Sequence, residues 1–315
     1  MNDYDNSSSS TSNPDEKTIS QNAVLSGAML PSKTPLFQAM HAARYQRQQL
    51  IKQIQDRWGR RLICYVSGRA VGIDRDDSVG FADLLYNVRP DRDLDLLLHT
   101  AGGDIDAAEK LVSMIRTTIG EKKLRVLVPD FAKSAGTLMA LAADKIVMGY
   151  TSELGPIDPQ VTRNDEQGNR VTQSIQSYLD AYKDHSAALQ KNPNDIAAQL
   201  MLGKLDPSRL KSFDALKNRA RILAEEHLRR WMFRDQQATI NITDIVDKLM
   251  DTNRWLSHGQ MIGWQDAMQI GLVVEHLDSA TDEEWQACWQ LYCLQRLAIE
   301  ERQKLYESDY VSLVF

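Results

Sequence analysis

Short apolar runs alternate with helical patterns through the middle of this chain. The run Leu94–His99 (LDLLLH) carries apolar residues at consecutive positions, which is typical of a strand covered on both faces. Leu124–Val128 and Lys145–Met148 have the same character, and helical patterns occupy Asp104–Ile119 and Ser134–Ala143. Because strands that alternate with crossover helices form parallel sheets, the sequence predicts an α/β fold with a mainly parallel sheet flanked by helices.

The segments on either side of this centre differ in composition. Residues 1–34 are rich in Ser, Asn and Asp, and such a polar segment cannot offset its ordering entropy, so we expect a disordered tail. Residues 35–60 have the spacing of an N-terminal helix, and residues 61–280 form the predicted main domain. Residues 281–315 are predicted to form a C-terminal helix, over Asp282–Glu307, and a tail. Residues 172–250 are mostly helical in pattern, with breaks at prolines.

The composition limits the classes of function. The formal net charge is −6, whereas a nucleic-acid-binding domain usually carries a basic face. No apolar run reaches the roughly 18 residues that a membrane helix needs, and the N-terminus lacks the features of a signal peptide. We therefore expect a cytoplasmic protein with no membrane span and no nucleic-acid partner. The cysteines, Cys64, Cys288 and Cys293, have no CxxC spacing, and no residue set has metal-ligand spacing, so no cofactor is predicted.

A glycine pair follows the run Leu94–His99. The turn His99–Asp104 (HTAGGD) contains Gly102 and Gly103 and opens the next helical pattern. Glycines at such a turn let the backbone approach a ligand closely, and free N–H groups at a helix start favour negative charge. The same pair is also compatible with a tight turn that has no further role.

Ser134 stands between small residues after the next predicted strand, in the segment KSAG. It has two interpretations. A serine at a helix start commonly caps the helix. Alternatively Ser134 is a nucleophile, with Ala135 and Gly136 keeping the surroundings small and the helix N-terminus stabilising negative charge.

A serine nucleophile needs a base, and three side chains are candidates. Lys183 lies in the segment DAYKDH, and a neutral lysine can serve as a base where burial lowers its pKa. His185 in the same segment is an alternative. His258, in WLSHGQ, is a further possible base or substrate contact, or a structural histidine. We expect a structural role for His99.

Together these segments resemble the Clp-protease/crotonase superfamily, and most closely the serine dehydrogenase proteinases, relatives of signal peptide peptidase A. The resemblance covers roughly residues 60–280. It is carried by LLLHTAGGDIDAAEKLVSMIR, by VPDFAKSAGTLMALAADKIVMGYTSELGPIDP, and by GWQDAMQIGLVVEHLD, which matches the superfamily pattern at Ala267, Gly271, Leu272 and Val273. Signal peptide peptidase A places its lysine in a similar Tyr-Lys-Asp context about fifty residues beyond the serine, and here 183 − 134 = 49.

The resemblance implies a serine peptidase of the Clp/crotonase fold that acts on soluble proteins or peptides and forms a homo-oligomer. Ser134 would be the nucleophile and Lys183 the general base. Backbone N–H groups of Gly103 and Ala135 would stabilise the oxyanion, and Gly102 would line the peptide site.

The sequence departs from the family pattern in two places, and two other functions stay open. Thr100-Ala101 replaces the usual Ser-Pro, and no histidine follows the Ala-Asp-x-Ile strand where Clp-type enzymes place theirs. The absence of that histidine favours a serine–lysine dyad. The alternatives are a crotonase-type acyl-CoA enzyme and a catalytically inactive scaffold that binds peptides.

Overall fold

The computed structural model describes residues 34–164, 167–236, 239–278 and 281–315. The chain divides into two compact units, Met1–Tyr45 and Gln46–Phe315. Apart from Thr34, the predicted tail lies outside the described residues. The predicted boundaries at residues 60 and 280 stay predictions.

A sheet of seven strands forms the centre of the second unit. Five of its strands are parallel: β1 Arg61–Ser67, β2 Leu94–His99, β3 Leu124–Val128, β5 Lys145–Met148 and β9 Val274–His276. Two antiparallel strands, β10 Lys304–Glu307 and β11 Ser312–Val314, extend the edge at β1. The strand order is β11-β10-β1-β2-β3-β5-β9. The prediction of a mainly parallel α/β sheet is therefore confirmed.

Two short pairs of strands lie outside this sheet. They are the parallel pair β4 Phe131–Ala132 with β6 Glu153–Leu154, and the hairpin β7 Gln160–Asn164 with β8 Arg170–Ser174. The hairpin corresponds to the polar segment that precedes the long helical region.

Eleven α-helices are present in the described ranges. They are α1 Pro35–Met40, α2 Ala42–Trp58, α3 Asp77–Leu85, α4 Ile105–Ile119, α5 Ala135–Leu141, α6 Ile175–Lys191, α7 Ile196–Gly203, α8 Pro207–His227, α9 Ile242–Met250, α10 Trp264–Ile270 and α11 Glu283–Arg296. A π-helical turn, Leu228–Met232, continues α8. The predicted breaks near Pro193 and Pro207 are confirmed, because α6 ends before Pro193 and α8 begins at Pro207.

Both faces of the central strands are buried. In β2, Leu96 and Leu98 pack in the large core with α3, α4 and α5, whereas Leu97 packs in a second core on the opposite face. That second core includes Ile51 of α2 and Leu291 of α11. The consecutive leucines of the sequence thus mark a strand covered on both faces, as predicted.

The C-terminal segment differs from its prediction. The helix predicted over Asp282–Glu307 ends at Arg296, and Lys304–Glu307 is a buried strand paired with β1. The charged residues of this strand are buried with partners: Lys304 Nζ lies 2.7 Å from Asp77, and Glu307 accepts a bidentate hydrogen bond from Arg47 at 2.9–3.0 Å. These long-range ion pairs leave no local pattern, which explains why the sequence does not predict the strand.

Candidate active site

Two turns meet at the carboxyl ends of β2 and β3. Since these strands are parallel neighbours, the segments that follow them emerge at the same edge of the sheet. Thr100 N–H donates to Phe131 O at 3.0 Å, and Lys133 N–H donates to Thr100 O at 3.0 Å. These two backbone hydrogen bonds hold the glycine turn against the segment that leads into Ser134.

Ser134 stands at the N-cap position of α5 in an unusual backbone conformation. Its φ is 50° and its ψ −116°, and it is the single non-glycine residue with positive φ in the described part of the chain. Such a conformation costs on the order of 1–3 kcal/mol and persists where the surroundings impose it. The Ser134 side chain makes no capping hydrogen bond. The helix-cap interpretation therefore fails, and the half-buried hydroxyl is left for another role.

Gly102 lies directly against Ser134. A Cβ atom at residue 102 would lie 2.8 Å from the Cβ of Ser134 and 3.2 Å from the backbone nitrogen of Ala135. The φ of Gly102 is 101°, which L-residues rarely adopt. The chain therefore requires glycine here, because a side chain would occupy the space beside the serine hydroxyl.

Two backbone N–H groups are unpaired beside this serine. The carbonyl of Gly102 accepts from Ile73 N–H at 2.7 Å. Across a trans peptide bond the N–H points opposite to the carbonyl, so Gly103 N–H faces away from Ile73. Among the described residues, neither Gly103 N–H nor Ala135 N–H has a hydrogen-bond partner. The N–H of Gly102, in contrast, is bonded to Thr100 Oγ1 at 3.2 Å.

Lys133 ties the serine turn to two distant segments. Its ammonium lies 3.0 Å from the Glu153 carboxylate and donates to the carbonyls of Leu154 at 3.1 Å, Gln260 at 3.3 Å and Gly259 at 3.4 Å. Burial lowers the pKa of Lys133, and the hydrogen bond that Lys133 donates to Glu153 opposes that effect. With these contacts its role is structural.

His258 is paired with an aspartate that the sequence analysis did not single out. His258 Nδ1 lies 2.8 Å from Asp158 Oδ1, and the two side chains are 19% and 6% exposed. The two residues are 100 positions apart. Asp158 lies in the LGPIDP segment, and no local spacing in the sequence links it to a histidine.

The other predicted base candidates lie on α6. Lys183 is exposed and His185 half-buried on this helix. The contacts found among the described residues do not join Lys183 to Ser134, so the proposed dyad stays a prediction.

His99 is fully buried at the end of β2. Its ring packs on Phe131 with centroids 4.0 Å apart, and Tyr292 Oη lies 3.2 Å from His99 Nδ1. Burial lowers the pKa of His99 to about 3. A neutral, enclosed imidazole of this kind supports the packing of the strand end, in agreement with the structural role that we expected.

The described ranges contain neither a metal-binding cluster nor a membrane-spanning helix. Within the described ranges, no cluster of three or more His, Cys, Asp or Glu side chains could hold a metal ion. No helix in those ranges combines the length and apolar character that crossing a bilayer requires.

Residues 35–184, which include the glycine turn and Ser134, match the model of the family described as ClpP-like SDH-type serine proteinase. The match covers 184 − 35 + 1 = 150 of the 315 residues. The predicted family resemblance is therefore confirmed. The matched residues include the turn described above, and the match does not identify catalytic residues.

Curated proteins similar to this chain share a short segment with it. Two uncharacterized proteins of Methanocaldococcus jannaschii are 46% and 39% identical to the chain, each over 71 residues, which is 22% of this chain and 24% of the relative. The chain thus spans about a quarter of the length of these relatives.

One solved structure with a similar arrangement is a serine-to-alanine mutant of the 1510-N membrane-bound stomatin-specific protease. It is 16% identical, with 69% of this chain and 98% of that chain covered, at a TM-score of 0.29. A superposition this loose supports no inference about individual residues.

Proposed function

We propose that the protein is a serine peptidase that hydrolyses peptide bonds of soluble proteins or peptides, with Ser134 as nucleophile. The observation that carries this proposal is the backbone of Ser134, whose φ of 50° presents an unbonded hydroxyl beside Gly102. Strain of this kind is retained where it serves a function. The match of residues 35–184 to the model of a serine proteinase family supports the same chemistry.

The geometry supports a two-donor oxyanion hole. Ser134 Oγ would attack the scissile carbonyl carbon, and the carbonyl oxygen would become the oxyanion of a tetrahedral intermediate. Gly103 N–H and Ala135 N–H have no other partner among the described residues, so both are free to donate to this oxygen. Preorganised donors of this kind contribute roughly 2.7–4 kcal/mol each to transition-state stabilisation.

Lys183 is the general base that the family resemblance implies. A lysine accepts a proton at neutral pH only when burial favours its uncharged form. Lys183 is exposed on α6. It would therefore have to be covered by the substrate or by a second copy of the chain before it could act on Ser134.

Two other functions make different predictions. A crotonase-type acyl-CoA enzyme would use the two oxyanion turns without a nucleophile. A peptide-binding scaffold would use neither an oxyanion hole nor a nucleophile. Both leave the strained, unbonded Ser134 hydroxyl without a role, whereas a peptidase requires it.

The test is covalent labelling with a fluorophosphonate probe together with hydrolysis of a mixed peptide library. We expect the wild-type protein to be labelled and to cleave peptides, and Ser134→Ala to do neither. Ser212→Ala, which removes an exposed hydroxyl from α8, is the matched control and should behave as wild type. A wild-type protein that shows neither labelling nor cleavage would exclude the proposed function.

A further inference from the structure

The Asp158–His258 pair has the arrangement of a histidine base and its orienting carboxylate. The carboxylate accepts a hydrogen bond from the His258 Nδ1–H at 2.8 Å. In the neutral ring this leaves the lone pair on Nε2. Nε2 has no hydrogen-bond partner among the described residues. The pair is partly enclosed, with the histidine side chain 19% exposed, so the imidazole is still reachable from solvent.

The first turn of α5 holds both members of this pair from two sides. Lys133, the residue before Ser134, donates to Gly259 O and Gln260 O, immediately after His258. Thr137 Oγ1, three residues beyond Ser134, donates to Gly155 O at 2.9 Å and accepts from Gly155 N–H at 3.1 Å, three residues before Asp158. The nucleophile turn and the His–Asp pair therefore belong to one hydrogen-bonded unit.

We propose that His258, oriented by Asp158, is the proton acceptor for Ser134, and that Lys133 is the residue that positions the His258 segment. This inference rests on the proposed function, and it replaces Lys183 with a histidine as the base. No direct hydrogen bond between His258 and Ser134 is present in the free protein, and such bonds are commonly long until substrate binds.

The reaction balances with these residues alone. As Ser134 Oγ bonds to the carbonyl carbon, its proton moves to His258 Nε2, and Asp158 stabilises the imidazolium. The C–N bond then breaks, and the imidazolium returns the proton to the leaving amine. A water molecule, deprotonated by the same nitrogen, hydrolyses the acyl-enzyme and restores the serine.

Substitutions distinguish His258 from Lys183 as the base. On the full chain we expect His258→Gln and Asp158→Asn each to lower kcat/KM on the order of 10²- to 10⁴-fold and to slow fluorophosphonate labelling in parallel. Lys183→Ala decides between the two candidate bases: the lysine hypothesis predicts the loss of most of the rate, and the histidine proposal does not. His41→Gln removes an imidazole from the turn between α1 and α2 and should behave as wild type.

Two readouts exclude a purely structural effect. Free imidazole should restore part of the activity of His258→Gly, since it can occupy the space and accept the proton. The charged groups around the pair, Asp158, Lys133 and Glu153, are the same in the wild type and in Lys183→Ala. The pH profile of kcat/KM should therefore be the same in both proteins and should change in His258→Gln.

Three results would overturn this inference while leaving the proposed function intact. The first is near-wild-type turnover in folded His258→Gln. The second is loss of activity in Lys183→Ala together with a wild-type rate that rises only at alkaline pH. The third is an inactive Asp158→Asn beside an active His258→Gln. The last result would make the carboxylate the base. If no variant, wild type included, is labelled or cleaves peptides, the peptidase assignment fails as well.

Discussion

A Cβ atom added to Gly102 would lie 2.8 Å from the Cβ of Ser134. The two residues follow neighbouring parallel strands, and the backbone hydrogen bonds of Thr100 to Phe131 and Lys133 bring their turns together. This contact explains why the glycine turn and the serine turn act as one structural unit, and it leads to the first prediction.

Gly102→Ala should lower kcat/KM by about 100-fold or more, because displacing a reacting group by about 1 Å has an effect of that size. Gly120→Ala is the matched control. It also has positive φ, at 58°, but a Cβ atom there would meet nothing within 4 Å. In urea unfolding Gly120→Ala should lose on the order of 1 kcal/mol of stability from its positive φ alone. Gly102→Ala should lose more, because its Cβ would also lie 2.7 Å from Lys133 O, and only this variant should lose activity. Full activity in Gly102→Ala would contradict the assigned geometry.

Thr100→Val should weaken catalysis through the oxyanion turn. Thr100 is fully buried and its Oγ1 accepts from Gly102 N–H at 3.2 Å. Valine keeps the shape but leaves this N–H unpaired, at a cost of about 1–3 kcal/mol. We expect kcat of Thr100→Val to fall roughly tenfold, the equivalent of about 1.4 kcal/mol. Thr100→Ser retains the acceptor and should therefore keep most of the wild-type kcat. Equal steady-state rates for the two variants would show that this bond does not position Gly103.

The stability of the protein should fall on mild acidification. Burial lowers the pKa of His99 to about 3 and that of His227 to about 4. The unfolded chain therefore binds more protons than the folded chain below a pH of about 6.5. The stability that the two neutral histidines contribute is fully present above a pH of about 6.5. It decreases as the pH falls towards their pKa values in the folded chain. Between pH 7 and pH 5, protonation of each histidine in the unfolded chain should lower the free energy of unfolding by about 2 kcal/mol.

Urea unfolding of His227→Gln at the two pH values tests that contribution. His227 is buried and bonds through Nδ1 to Leu138 O at 2.9 Å. The variant should be less stable at pH 7 but should lose about 2 kcal/mol less than the wild type on acidification. His41→Gln should keep the wild-type pH dependence. If His227→Gln loses as much stability between pH 7 and pH 5 as the wild type does, His227 does not make this contribution.

We expect the protein to form a homo-oligomer. The C-terminal helix does not offer an apolar contact for this assembly, because Trp285 and Leu291 of α11 are buried on the chain's own sheet. Exposed apolar side chains do occur on α7, where Ile196 is 70% and Leu200 64% exposed. Light scattering should show an assembly that dissociates in the double variant Ile196→Lys, Leu200→Lys, because charges disfavour an apolar contact. A wild-type monomer at micromolar concentration would be the contrary result.

The central strands and their order of succession were predictable from the sequence. β2, β3 and β5 have the predicted bounds, because consecutive apolar residues mark a strand buried on both faces wherever they occur. The position of Ser134 after such a strand was equally a local property. The predicted cap or nucleophile alternatives could not be separated at that level, because both place a serine at a helix start.

Local sequence by itself thus determined the strands, the crossover helices and the two turns that could carry chemistry. The tertiary structure decided the rest: the positive φ of Ser134 and its contact with Gly102, the pairing of His258 with Asp158, and the burial of the charged strand Lys304–Glu307. Each of these involves contacts between distant residues: 134 − 102 = 32 positions for Gly102 and Ser134, 100 for Asp158 and His258, and 260 for Arg47 and Glu307. Such contacts leave no periodic pattern in the chain, because hydrogen bonds and ion pairs between distant segments form only when the fold brings those segments together.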